Sequence, residues 1–102
     1  MEKRIELGKK LKEILGNTNT YYQPPESTKI KYPAIMYSLD GIEINHADDI
    51  KYAKRKRYSV ILIDYNVDSE YVYKILDTFE YCSFDRFYVA DNLNHWAFTL
   101  FY

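Results

Sequence analysis

Residues 81–102, YCSFDRFYVADNLNHWAFTLFY, read as two strands folded back on a polar turn. In the second strand Trp96, Phe98, Leu100 and Tyr102 point one way and His95, Ala97 and Thr99 the other. That is the period-2 pattern of a sheet with one buried face. Phe101 breaks the pattern, so the second face is expected to be covered as well. Between the strands lies Asp91-Asn92-Leu93-Asn94, whose Asp and Asn side chains can bond nearby backbone groups and tolerate left-handed conformations. A closing hairpin of this kind belongs to a core rather than a tail, and nothing in it is a catalytic signature.

Upstream, Val72, Ile75, Leu76 and Phe79 recur at helical spacing, with Asp68 as the expected N-cap and Val67 placed to staple against Val72. Before that helix, residues 57–65 form a strand that is apolar on both faces through Val60-Ile61-Leu62-Ile63, the mark of a sheet centre. An earlier strand runs from Pro33, which cannot donate to a ladder, through Ala34 to Leu39, with Ile35, Tyr37 and Leu39 on one face. Residues 40–54 contain no run that would bury itself and are expected to form a long loop between these strands. At the start of the chain Leu7, Leu11, Ile14 and Leu15 make one apolar stripe on a helix over residues 3–15, stopped by Gly16-Asn17. The polar stretch 17–31, with Pro24-Pro25 at its centre, is a connection with room for a short extended piece at 21–23.

The expected architecture is one α+β domain over residues 1–102, in the order α-β-β-α-β-β: about four mostly antiparallel strands with both helices on one face. If Phe101, Ile61 and Ile63 share the other face, a neighbouring subunit is the simplest cover.

Composition agrees with a folded domain. A chain of 102 residues can bury roughly 60–70% of its unfolded surface. With 47% hydrophobic residues, three Gly and three Pro, it is neither disordered nor of low complexity. The net charge of −1 gives the molecule no overall attraction for nucleic acid or an anionic membrane. No apolar run approaches the ~20 residues of a membrane span, and the first residues lack a signal peptide's apolar core, so a soluble protein made in a cytoplasm is expected. The twelve tyrosines are the outlier. They fit either a surface that becomes an interface or the ordinary preference of strands for aromatics.

No catalytic residues, metal ligands or cofactor are expected. The sequence has no nucleophile elbow, paired-His helix or clustered ligands, and three glycines leave no phosphate-cradling loop. His46 and His95 stand far apart and read as structural or surface histidines; Cys82 reads as a small buried hydrophobe that permits no internal disulfide. The Asp91, Asn92 and Asn94 oxygens are too few in charge for a cation site and are a weaker partner contact.

The segment 40–57 carries the strongest charge pattern. Asp40, Glu43, Asp48 and Asp49 are followed directly by Lys51, Lys54, Arg55, Lys56 and Arg57. One reading is a solvated loop whose charges cancel locally. A sharper one has the acidic segment of one subunit meet the basic segment of the next, a heterologous contact that closes into a ring when the rotation allows. A third is phosphate binding by the basic segment 51–57, with Tyr52 and Tyr58 stacking on bases, although the adjacent carboxylates oppose it. The strand Arg86-Phe87-Tyr88-Val89 faintly resembles the aromatic strand of RNA-binding sheets but lacks its glycines.

Three stretches carry a family resemblance: Tyr81-Cys82-Ser83-Phe84-Asp85-Arg86, then Tyr88 through His95, then Phe98-Thr99-Leu100. Upstream, Tyr22-Gln23-Pro24-Pro25-Glu26-Ser27, Lys31-Tyr32-Pro33-Ala34-Ile35 and Arg57-Tyr58-Ser59-Val60 extend it over most of the chain. Together they resemble the tail-completion, or tail-terminator and head-tail-joining, proteins of long-tailed bacteriophages. The resemblance implies a structural protein without turnover that forms a ring, usually hexameric, at the head-proximal end of the tail tube. Such a ring stops tube polymerisation and presents the head-docking surface. Implied partners are other copies of the chain, the tail tube protein and head-tail connector proteins, with no membrane and no specific nucleic acid. The implied location is the virion tail, and the host bacterial cytoplasm during assembly. A head-side connector or adaptor is the variant within this class, and a small nucleic-acid-binding protein using segment 51–57 is the alternative outside it.

Overall fold

The computed structural model describes residues 3–47 and 50–102, with side chains described outside 43–54. Helix α1 (Lys3–Leu15) is followed by strands β1 (Thr20–Tyr22), β2 (Ala34–Ala47) and β3 (Ile50–Asp64), helix α2 (Tyr71–Thr78), and strands β4 (Cys82–Ala90) and β5 (Leu93–Phe101). The five strands form one sheet in the order β1-β2-β3-β5-β4. β1 runs parallel to β2, and every other neighbouring pair is antiparallel.

The α+β class therefore holds, while the four-strand, mostly antiparallel expectation becomes a mixed sheet of five. The extra strand is the extended piece near Tyr21. Its ladder is made by Thr20, Tyr21 and Tyr22 opposite Ile35, Met36 and Tyr37. Side chains finish what three residues cannot: the Asn19 amide donates to the Pro33 carbonyl (3.3 Å), and the Leu39 N–H donates to Gln23 Oε1 (3.2 Å). Pro24-Pro25 then ends the ladder, because proline carries no N–H to continue it.

One face of the sheet holds the core. Ile35 and Tyr37 of β2, Tyr58, Val60 and Leu62 of β3, and Trp96, Phe98 and Leu100 of β5 pack with Leu7, Leu11 and Leu15 of α1, with Ile75 of α2, and with Phe79 at its end. The apolar stripe read for α1 is the one that is buried, and Gly16, at φ 71°, donates to the Lys12 carbonyl (2.9 Å) to close the helix. α1 lies close on the sheet at Gly8, where an added Cβ would stand 2.7 Å from the Tyr37 hydroxyl. β3 is the middle strand, as its two apolar faces imply.

α2 differs from expectation at its start. Asp68 is not its N-cap: the helix begins at Tyr71, and Glu70 holds the cap position in helical conformation with no side-chain cap bond. Asp68 sits instead in successive side-chain-closed turns, where the Asn66 N–H donates to Asp64 Oδ1 (3.2 Å) and the Asp68 N–H to Asn66 Oδ1 (2.9 Å). Val67 is exposed and does not staple the helix. The closing turn is also tighter than read. Ala90 pairs with Leu93, so the turn is Asp91-Asn92 alone, at φ 52° and 61°, the left-handed pair that a two-residue hairpin loop requires.

The second face carries no helix. Ile63 is buried there within the chain, whereas Met36, Ile61, Ala97 and Phe101 are half-buried.

Candidate functional site

The largest departure from the sequence reading is also the feature that sets the shape of the molecule. Residues 40–54 are not a loop. β2 and β3 continue far beyond the body as one antiparallel hairpin, pairing Gly41 with Arg57, Ile42 with Lys56, Glu43 with Arg55, Ile44 with Lys54, Asn45 with Ala53, His46 with Lys51, and Ala47 with Ile50. The third strand on one side stops at Tyr22, opposite Tyr37, and on the other at Phe101, opposite Arg57. Past the last bond on that side, from the Tyr102 N–H to the Lys56 carbonyl (3.0 Å), no third strand pairs with the hairpin among the described residues, and it runs on as a two-stranded arm. Seven residue steps from Arg57 to Ile50 make it about 23 Å long. The principal extents of 50 × 24 × 23 Å and a radius of gyration of 14.6 Å, against roughly 13 Å for a compact domain of this length, reflect it.

The arm overturns the loop expectation for a definite reason. Ile42 and Ile44 alternate with Gly41, Glu43 and Asn45, which is strand periodicity, but too few apolar residues occur to bury a face. An alternating stretch with so few apolar residues looks like a loop by composition.

The arm's root is fixed by charge. The Arg57 guanidinium lies over Gly41, where a Cβ would meet it at 2.7 Å, and donates from Nε to Asp40 Oδ2 (3.0 Å) and from Nη2 to the Asp40 carbonyl (3.2 Å). Asp40 is the residue set out of register by the bulge between Leu39 and Gly41. The acidic and basic stretches thus face one another across one hairpin: Asp40 is bound to Arg57 within the chain, and Glu43 stands opposite Arg55. Arg55 also stacks over the Tyr81 ring at 4.2 Å. Asp48 and Asp49 lie outside the described residues, as do the side chains of Glu43, His46, Lys51, Tyr52 and Lys54; Lys56 is exposed. Both members of the Asp40–Arg57 pair are about half exposed, so Arg57→Ala should cost only about 0.2–1 kcal/mol in urea unfolding. Arg57→Lys should not recover the loss, because an ammonium cannot make the forked contact with side chain and carbonyl.

The Asp91–Asn94 turn divides. Asp91 and Asn92 are exposed, but the Asn94 amide donates to the carbonyls of Asp64 (3.2 Å) and Tyr65 (3.0 Å) and tethers the hairpin to the end of β3. The β4 edge presents Phe84, Phe87 and Val89 exposed, with Phe84 edge-on to Phe98 and Phe87 tilted on Trp96. A bulge at Asp85 interrupts this edge, its carboxylate accepting from Thr99 Oγ1 (2.6 Å), and such a bulge hinders addition of a further strand.

The tyrosines serve several purposes. Tyr37 and Tyr58 are in the core, whereas Tyr65, Tyr73 and Tyr81 are exposed. Arg4, Lys10, Arg55, Lys74 and Arg86 each lie over a tyrosine ring, on Tyr22, Tyr102, Tyr81, Tyr71 and Tyr88. Much of the tyrosine surface is therefore a platform for cations.

His95 stacks on Tyr88 at 4.7 Å, with Nδ1 3.0 Å from the Leu93 carbonyl, a structural setting. Burial, with Asp85 adding to it, pushes the Cys82 thiol up to about 11. A thiol of ordinary value 9.0 would carry roughly a hundredfold more thiolate at pH 8. Labelling of native Cys82 by a thiol reagent at pH 8 should accordingly be at least about tenfold slower than in the unfolded chain, because the greater nucleophilicity of the more basic thiolate offsets only part of the loss. Among the described residues no group of His, Cys, Asp and Glu could hold a metal ion, and no helix is long and apolar enough to cross a membrane. No known protein family, curated protein or solved structure matches the chain.

Proposed function

We propose that this chain is a structural protein of a bacteriophage or prophage tail, which closes into a homo-oligomeric ring at the head-proximal end of the tail tube. The ring, hexameric in the class the sequence resembles, would end tube polymerisation and offer the docking surface for the head connector. The observation that carries the reading is the arm. A two-stranded ribbon with no third strand is marginal alone, and it gains stability by lying on another surface. Because the arm points away from its own body, that surface belongs to a neighbour. An arm of one subunit on the body of the next is a heterologous contact, which generates a ring if the rotation closes.

For the nucleic-acid alternative, using the basic segment 51–57, the observation that counts against it is local: Arg57 is neutralised by Asp40.

The test is to add the purified chain to polymerising tail-tube subunits of the same phage and image tube lengths. Tubes capped at one end and arrested in growth are the expected result. Unchanged growth, with binding to the head connector instead, would move the protein to the head side; binding to neither would end the reading.

A further inference from the structure

Two exposed apolar patches lie at opposite ends of the helix-bearing face of the sheet. The first is at the base of the arm. Leu39 stands opposite Tyr58 of the core, and the bulge at Asp40 shifts the phase of β2 by one residue, so Ile42, opposite Lys56, falls on the same face. Leu39, Ile42 and Lys56 are all exposed, and Lys56 makes no ion pair among the described residues. The second patch is at the far end of the body. Phe87 pairs with Trp96, and Val89 with Asn94, which stands opposite Asp64, eight strand steps or about 26 Å from Lys56. Phe87 and Val89 are exposed there, as are Val67 and Tyr73. Between β5 and the start of α2, Val67, Asp68, Ser69, Val72, Tyr73 and Trp96 line a cleft of about 160 Å³, the size that takes a single small apolar group. Ser69 is buried in its wall with a hydroxyl that finds no hydrogen-bond partner among the described residues. A docked segment bringing its own backbone N–H or carbonyl would make good that lack.

We infer that this cleft receives the base of the arm of a neighbouring copy of the chain, with Ile42 entering it and Lys56 meeting Asp68. Three observations select the occupant. Both patches are apolar and exposed, so docking one on the other takes both out of water. The charges at their rims are opposite: Asp68 is exposed and in no ion pair among the described residues, whereas Lys74 is held by Glu70 (3.6 Å), and Arg86, opposite Ala97, lies on the other face of the sheet. The separation along β3, finally, holds a subunit's own arm away from its own cleft. Donor and acceptor at opposite ends of one subunit are the two halves of a head-to-tail contact. Ile42 lies where the ribbon leaves the body, and the ribbon beyond it runs on over the same neighbour, so base and ribbon share one interface. The inference rests on the ring reading above and names its acceptor.

The test measures the assembly of full-length chains by light scattering over a concentration series. Ile42→Asp and Val67→Asp put a carboxylate against an apolar wall and should each raise the concentration of half-assembly at least roughly tenfold. Ile5→Asp, at an exposed apolar residue of α1 outside both patches, should leave it within about twofold. Lys56→Glu and Asp68→Lys should each raise it at least about threefold, and the chain carrying both should return to within about twofold of wild type. Wild-type rings that Ile42→Asp and Val67→Asp weaken no more than Ile5→Asp does, or a charge exchange that does not recover, would overturn this acceptor while leaving the ring reading intact. A wild type that never assembles would overturn both. A second measurement guards against misfolded variants: in a Cys82→Ser background, Ile42→Cys chains mixed with Val67→Cys chains should be joined between subunits by a short bifunctional thiol crosslinker. Failure to join them would also overturn the acceptor.

Discussion

Replacing residues 44–54 by Asn-Gly, so that Glu43 and Arg55 flank a two-residue turn, is expected to give a chain that folds normally and does not assemble. The inserted dipeptide suits the left-handed pair of a tight hairpin. The change leaves the Asp40–Arg57 bond, the Arg55–Tyr81 stack and the Tyr102-to-Lys56 hydrogen bond in place. What is removed is ribbon that touches no third strand among the described residues, so urea unfolding of the monomer should shift by no more than about 1 kcal/mol. Its mass in solution should be that of a monomer at concentrations where the full chain is a ring. A shortened chain that assembles as well as the full one would show that the arm is not the contact.

Phe98→Ala is expected to cost about 3–5 kcal/mol in urea unfolding, a large share of the roughly 5–15 kcal/mol that a domain of this kind possesses. Phe98 is 1% exposed and sits between Val60 and Phe84 in the ladder, with the Phe84 ring 5.7 Å away edge-on. Its removal opens a cavity beneath both helices that the rigid sheet cannot close. Phe84→Ala, on the free edge and 46% exposed, should cost less than about half as much, because much of its surface is already in water. Equal losses at the two positions would contradict the placement of the core.

How much of this was legible in the sequence depends on where the burial lies. The face of β5 made by Trp96, Phe98 and Leu100, the stripe Leu7, Leu11 and Leu15, and the central position of β3 follow from periodicity, because each of those residues is buried within its own chain. β1 was only half visible: three residues carry no periodicity, and Asn19 and Gln23 complete the strand through side chains that no pattern marks. Asp68 has the right chemistry for a cap, but the helix begins only at Tyr71, and the segment before it is held by turns that the Asp64 and Asn66 side chains close. The arm reads as a loop in the sequence because its strands carry few apolar residues and, among the described residues, pair with no third strand, whereas hydrophobic patterning reports burial within the chain. The charge segments were seen, but their first partners turn out to be each other: Arg57 with Asp40, and Arg55 opposite Glu43.

The central claim is a closed ring built through the arm. Its most direct test is the mass of the full-length chain in solution, by light scattering behind size exclusion over a concentration series, with negative-stain images of the largest species. The account predicts a single closed oligomer that gives ring-shaped particles and dissociates to monomer on dilution. A monomer at every concentration, or open chains that lengthen without limit, would contradict it.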